Sequence, residues 1–152
     1  MSFKKIKGFD FKRLVDAVNA QIPVIMETSA NTAKNHFVKS FRDGGFTDDV
    51  LERWTPRKSK DKRKGRRAIL VKSGHLRDSI RVARTSNKGF LIVSDMGLGA
   101  NSDYAPVHNF GLRAGRGRGF KMPKRQFIGR SKTLEERIKQ NLIKKINAIL
   151  NK

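Results

Sequence analysis

At 152 residues and without cysteine, the chain is long enough to bury one hydrophobic core and carries neither disulfides nor thiolate metal ligands. Its 35 Lys and Arg against 13 Asp and Glu leave a charge of +22, which speaks to partners (nucleic acid, acidic protein, anionic lipid) and says little about fold. No run approaches the roughly 18 apolar residues of a membrane span, and the basic start lacks the apolar centre of a secretory signal, so the chain is expected to be cytoplasmic where it is made.

Apolar residues recur at helical spacing from Asp10 to Phe41: Phe11, Leu14, Val15, Val18, Ile22, Ile25, Met26, Ala33, Phe37 and Phe41. Asp10 is placed to accept from the amides of the first turn. Pro23 has no amide proton and clashes with the preceding turn, which predicts a kink or two consecutive helices, and Gly44-Gly45 ends the stretch. Residues 46–54 read as a mixed connector. Residues 57–67 hold eight cations and one acid, a self-repelling block with little to bury that is expected as a loop.

Ser73 is placed to cap a short helical turn in which Leu76 and Ile80 share a face. A β-hairpin follows, running through Ile80, Val82 and Arg84, turning at 85–89 and returning through Phe90-Leu91-Ile92-Val93. Residues 98–102 are expected as loop, and 104–110 as a helical turn or irregular segment closed by Gly111. A second basic loop covers 112–121, and 122–128 is expected as a strand that Pro123 confines to an edge. Thr133 and Glu136 have capping-box spacing at the start of a last helix. There Leu134, Ile138, Leu142, Ile146, Ile149 and Leu150 line a stripe opposite Lys139, Lys144 and Lys145. The sum is a single α+β domain over 1–152: a small antiparallel sheet flanked by two long helices, with long basic loops.

Catalytic constellations are not evident, and the expectation is no enzyme, no cofactor and no metal. His36, His75 and His108 fall in separate elements and no Gly-x-Ser-x-Gly elbow occurs. Asp48, Asp49 and Glu52 read as a solvated turn. Asp95 and Asp103 flank a glycine-bearing loop without the spacing of a calcium loop, and 115–119 lacks the Lys-Ser/Thr of a phosphate loop.

Two cation clusters suggest contacts with phosphates or an acidic partner: Arg57, Lys58, Lys60, Lys62, Arg63, Lys64, Arg66 and Arg67, then Arg113, Arg116 and Arg118. Phe110, Phe120 and Phe127 near the second cluster have the chemistry to stack on bases. A basic protein binding nucleic acid without sequence preference is therefore the alternative reading. Leu91, Val93, Phe110 and Phe127 are candidates for core or interface, with core expected.

Three ordered signatures occupy the centre of the chain. The first is Ser73, Gly74, Leu76, Ser79 and Ile80. The second is Tyr104, Ala105, His108 and Gly111, and the third is Met122, Pro123, Arg125, Phe127 and Gly129, with Trp54 ahead of them all. In this order they resemble the phage virion morphogenesis, or tail completion, family, from the N-terminal helix to the last one. That resemblance implies a structural protein of phage or prophage acting in tail completion and head–tail joining. Its implied partners are its own copies in a ring, hexameric in the virion, and other tail or neck proteins, with non-specific DNA contact and no membrane. Its implied location is the virion, reached from the host cytoplasm.

Overall fold

A computed structural model describes residues 10–57, 68–95, 104–115 and 117–150. The first element, α1 (Phe11–Asp43), is one helix of 33 residues that includes Pro23, so the expected break does not divide it. Asp10 caps it by accepting the Arg13 amide at 3.0 Å. Gly44 ends it in the left-handed conformation (φ 65°), where a side chain would be strained, and its amide bonds the Ser40 carbonyl.

The expected connector 46–54 is instead a small antiparallel hairpin of β1 (Gly45–Thr47) and β2 (Leu51–Arg53), in the register Phe46 opposite Glu52. The turn α2 (His75–Asp78) then leads into the predicted hairpin, β3 (Ile80–Ser86) and β4 (Gly89–Ser94). Gly74 at φ 83°, with no side-chain hydrogen bond, occupies the cap position of α2, one residue beyond the Ser73 expected there. The short helix α3 (Tyr104–Phe110) follows, then a minimal ribbon of β5 (Arg113–Ala114) and β6 (Phe120–Lys121). Paired residues thus bound the basic segment expected as loop. Among the described residues the antiparallel strands form three separate two-stranded sheets rather than one.

The last helix, α4 (Lys132–Leu150), runs back along α1. It starts beside Thr47 and Asp48, just past the end of α1, and Lys145 Nζ reaches Thr28 Oγ1 at 3.1 Å further along. Its cap is Ser131, not Thr133: Ser131 Oγ accepts the Leu134 amide at 3.2 Å and donates to the Thr47 carbonyl at 2.8 Å. Asp48, expected as a solvated turn residue, accepts the Lys132 amide at 2.7 Å.

The core lies where α1, α2, α3 and α4 meet: Phe37, Phe41, Phe46, Trp54, Leu70, Leu76, Ile80, Phe127 and Leu134 are all buried there. Phe41 sits at its centre, with ring centroids 5.5 Å from Trp54 and 5.2 Å from Phe127. Each such aromatic contributes about 1.5–3 kcal/mol through burial, and each pair about 0.5–1.5 kcal/mol more. His36 is structural: its Nε2 donates to the Thr47 carbonyl at 3.1 Å, and its ring meets Phe37 and Phe46 edge-on.

Candidate assembly surface

The second and third signatures and Trp54 converge on one knot of backbone and side chain. The Trp54 indole Nε1 donates to the Gln126 carbonyl at 2.7 Å, and the Arg125 guanidinium donates to the Thr55 carbonyl through Nη2 at 3.0 Å and Nε at 3.3 Å. The Arg125 amide bonds the His108 carbonyl at 2.8 Å, and Asn109 Oδ1 accepts the amides of Phe127 and Ile128. Gly111 closes the approach. At φ 71° it lies so near the third signature that a Cβ there would stand 2.9 Å from the Lys124 nitrogen.

These bonds explain why 122–128 is not the strand its pattern suggested. The amides of Arg125, Phe127 and Ile128 go to the His108 carbonyl and the Asn109 side chain instead of to a strand. The Met122 amide bonds the Leu112 carbonyl at the end of the β5–β6 ribbon. Asn109 and the Ser131 cap are the groups that sequence reasoning missed. Asn109 stands within the second signature, but only the fold reveals that its amide replaces a strand partner.

The first signature joins the same core through Leu76 and Ile80. Its Ser79 Oγ donates to the Leu76 carbonyl at 2.7 Å and lies 2.7 Å from Ser94 Oγ, tying α2 to β4. Ala105 is buried, Tyr104 is exposed with its ring 4.6 Å from that of His108, Met122, Pro123 and Gly129 are half-buried, and Ser73 is exposed. The matched positions are thus mostly packing anchors.

Electrostatically the knot is cationic. Arg125 is only 7% exposed, and burial, then the nearby Arg57, holds its pKa below the ordinary value. Burial and then Arg125 push His108 below the ordinary imidazole range, and its buried Nδ1 has no hydrogen-bond partner among the described residues. His108 is therefore a neutral packing group. Arg57 Nη2 donates to the Ala68 carbonyl at 2.9 Å, so the chain leaves the described fold and re-enters it at one place. Lys58, Lys60, Lys62, Arg63, Lys64, Arg66, Arg67, Arg116 and Asp103 lie outside the described residues, as do 98–102.

On the surface, Arg113 donates to the Arg118 carbonyl, bracing the β5–β6 ribbon. Phe110, Leu112 and Phe120 are exposed beside these cations. Phe127 is buried and unavailable for stacking, while Phe110 and Leu91, expected in the core, lie on the surface. Asp95 pairs with Arg81. Among the described residues no group of His, Asp and Glu is arranged to hold a metal ion, and no helix is long and apolar enough to cross a membrane.

The sequence model of the phage virion morphogenesis family matches residues 44–147, which takes in Trp54, all three signatures and most of α4. The match begins directly after α1, so it is narrower at that end than the resemblance read from the sequence. No curated protein and no solved structure matches the chain.

Proposed function

The chain belongs to the phage virion morphogenesis family and has a structural role in phage assembly; on that premise we propose that it completes the tail and enables head–tail joining, as a ring of its own copies that contacts neighbouring virion proteins. The family match over 44–147 carries this reading. The surface is compatible with it. Three two-stranded sheets leave strand edges open for pairing with another chain, and exposed Phe110, Leu112 and Phe120 stand beside Arg113 and Arg118. Phosphates of DNA in a ring lumen, or acidic faces of adjacent rings, are the partners that such cations fit. The function asks for no catalytic step, only for surfaces held rigidly by the knot behind them.

Interrupting the coding sequence in its parent phage tests the proposal, with lysates viewed by electron microscopy. The expected result is filled heads and separate tails that do not join, restored by supplying the chain in trans. Intact infectious particles formed without the chain, and purified virions that lack it, would overturn the reading.

A further inference from the structure

The core-facing stripe of α1 continues where the core has ended. At about 100° per residue, Phe11, Leu14, Val15, Val18, Ile22 and Ile25 fall within about 100° of one another, a single apolar face. Exposure climbs along it toward the N-terminus: Ile25 is 6% exposed, Val15 39% and Phe11 68%. The antiparallel neighbour α4 gives no cover there. With Lys145 bonded to Thr28, the last residue of α4, Leu150, falls level with Pro23, and the opening turns of α1 run past it.

Charge identifies the occupant. Residues 11–22 carry two cations (Lys12, Arg13) and one acid (Asp16), a net of +1, whereas the whole chain carries +22. The rest therefore holds +21. Nucleic acid or an acidic protein is drawn to that remainder and has no electrostatic reason to settle on a near-neutral arm. Two copies of the chain face the opposite problem, because their bodies repel. The arm is where an apolar contact between copies forms without setting one cationic surface against another.

We propose that the 11–22 face of α1 is a self-association surface, packing against the matching stripe of a second copy. It rests on the self-assembly named above; because like stripes meet, this contact is two-fold and pairs copies through a helix ahead of the family-matched residues, while a different surface closes the ring. The arm meets its partner stripe as two amphipathic helices do, apolar rows interlocked and charged flanks in solvent.

Sedimentation equilibrium of the full chain tests this, in about 1 M salt, where a Debye length of about 3 Å suppresses repulsion between bodies. The wild-type chain is expected to associate. The double variant Val15→Glu/Val18→Glu is expected to associate at least about tenfold more weakly, with an unchanged helical circular-dichroism signal. Val24→Glu, at an exposed position on the opposite face of α1, is expected to behave as wild type. If the double variant loses helix, the cysteine-free chain permits a second measurement. A single Val15→Cys should be joined between copies by a short bis-maleimide, while Lys88→Cys on the β3–β4 turn should not. Undiminished association of the double variant, equal weakening by Val24→Glu, or absence of the Val15→Cys cross-link overturns the arm assignment and leaves self-assembly by another surface standing. A wild-type chain that stays monomeric at every concentration overturns both and gives the stripe to a different protein.

Discussion

Asn109 Oδ1 accepts the backbone amide of Phe127 at 2.9 Å across 18 positions of sequence, and the same oxygen takes the amide of Ile128 at 3.0 Å. One side chain thereby does for 122–129 what a neighbouring strand would otherwise do, while Phe127 fills the centre of the core. Asn109→Ala leaves two inward-facing donors unpaired, each costing about 1–3 kcal/mol. The variant is expected to lose about 2–5 kcal/mol in urea unfolding. A variant within about 0.5 kcal/mol of the parent would show that the segment holds its course without this oxygen.

The start of α4 offers a second test, because the structure caps it with Ser131 where the sequence predicts Thr133. Ser131 accepts the Leu134 amide and donates to Thr47, whereas Glu136 is exposed and bonds Gln140 at 2.6 Å instead of reaching back over the first turn. Ser131→Ala is therefore expected to cost about 1–2 kcal/mol. Glu136→Ala should stay within about 0.5 kcal/mol of the parent. Chemical denaturation of both decides it, and the reverse ranking would restore Thr133–Glu136 as the cap.

Periodic elements were legible because they obey local rules. The α4 helix, the β3–β4 hairpin and the Asp10 cap each follow from spacing and from short-range hydrogen bonding, although Leu142 and Leu150 of the predicted stripe are exposed. The order of the signatures also pointed to the family that the match identifies. What stayed hidden depends on partners far away in sequence. Residues 122–128 read as an edge strand, yet the amides of Met122, Arg125, Phe127 and Ile128 go to Leu112, His108 and Asn109. Asp48 looks like a solvated acid until α4 starts beside it 84 positions later. Phe110 and Leu91 are apolar enough for a core, and only the packing shows that they were left outside it.

Two buried histidines set an acid limit on stability. Burial pushes His36 and His108 below the ordinary value of 6.5. Arg137 and Lys39 lower His36 further, against the Thr47 carbonyl and Asp43, and Arg125 lowers His108 further. The unfolded chain binds these protons near the ordinary value and the folded chain resists them to lower pH, so stability rises with pH in that interval. The contribution is full above 6.5 and is lost as pH falls through the depressed folded values. The slope approaches about 1.4 kcal/mol per pH unit for each histidine. Thermal midpoints should be level above about pH 7 and decline below it, and His36→Gln/His108→Gln should flatten the decline. A wild-type profile with no fall between about pH 6.5 and 5 rules out this account.

The β5–β6 ribbon separates what holds the fold from what the fold presents. Its register pairs Ala114 with Phe120 and Arg113 with Lys121. Alternation then puts Ala114 and Phe120 on one face, with Leu112 and Met122 next along the same side, and the two cations on the other. Leu112 and Phe120 are exposed, and a two-stranded ribbon is marginal on its own in water. Among the described residues, Leu112 and Phe120 of that face are left uncovered, as a contact surface would leave them. Leu112→Ser/Phe120→Ser should therefore change unfolding free energy by less than about 1 kcal/mol. The same variant should fail to restore infectivity to a phage lacking the chain, whereas Phe127→Ser should fail at folding itself, since Phe127 is buried against Phe41. Infectivity equal to that given by the wild-type chain would remove the ribbon from the assembly surface and leave the signature knot as a purely structural device.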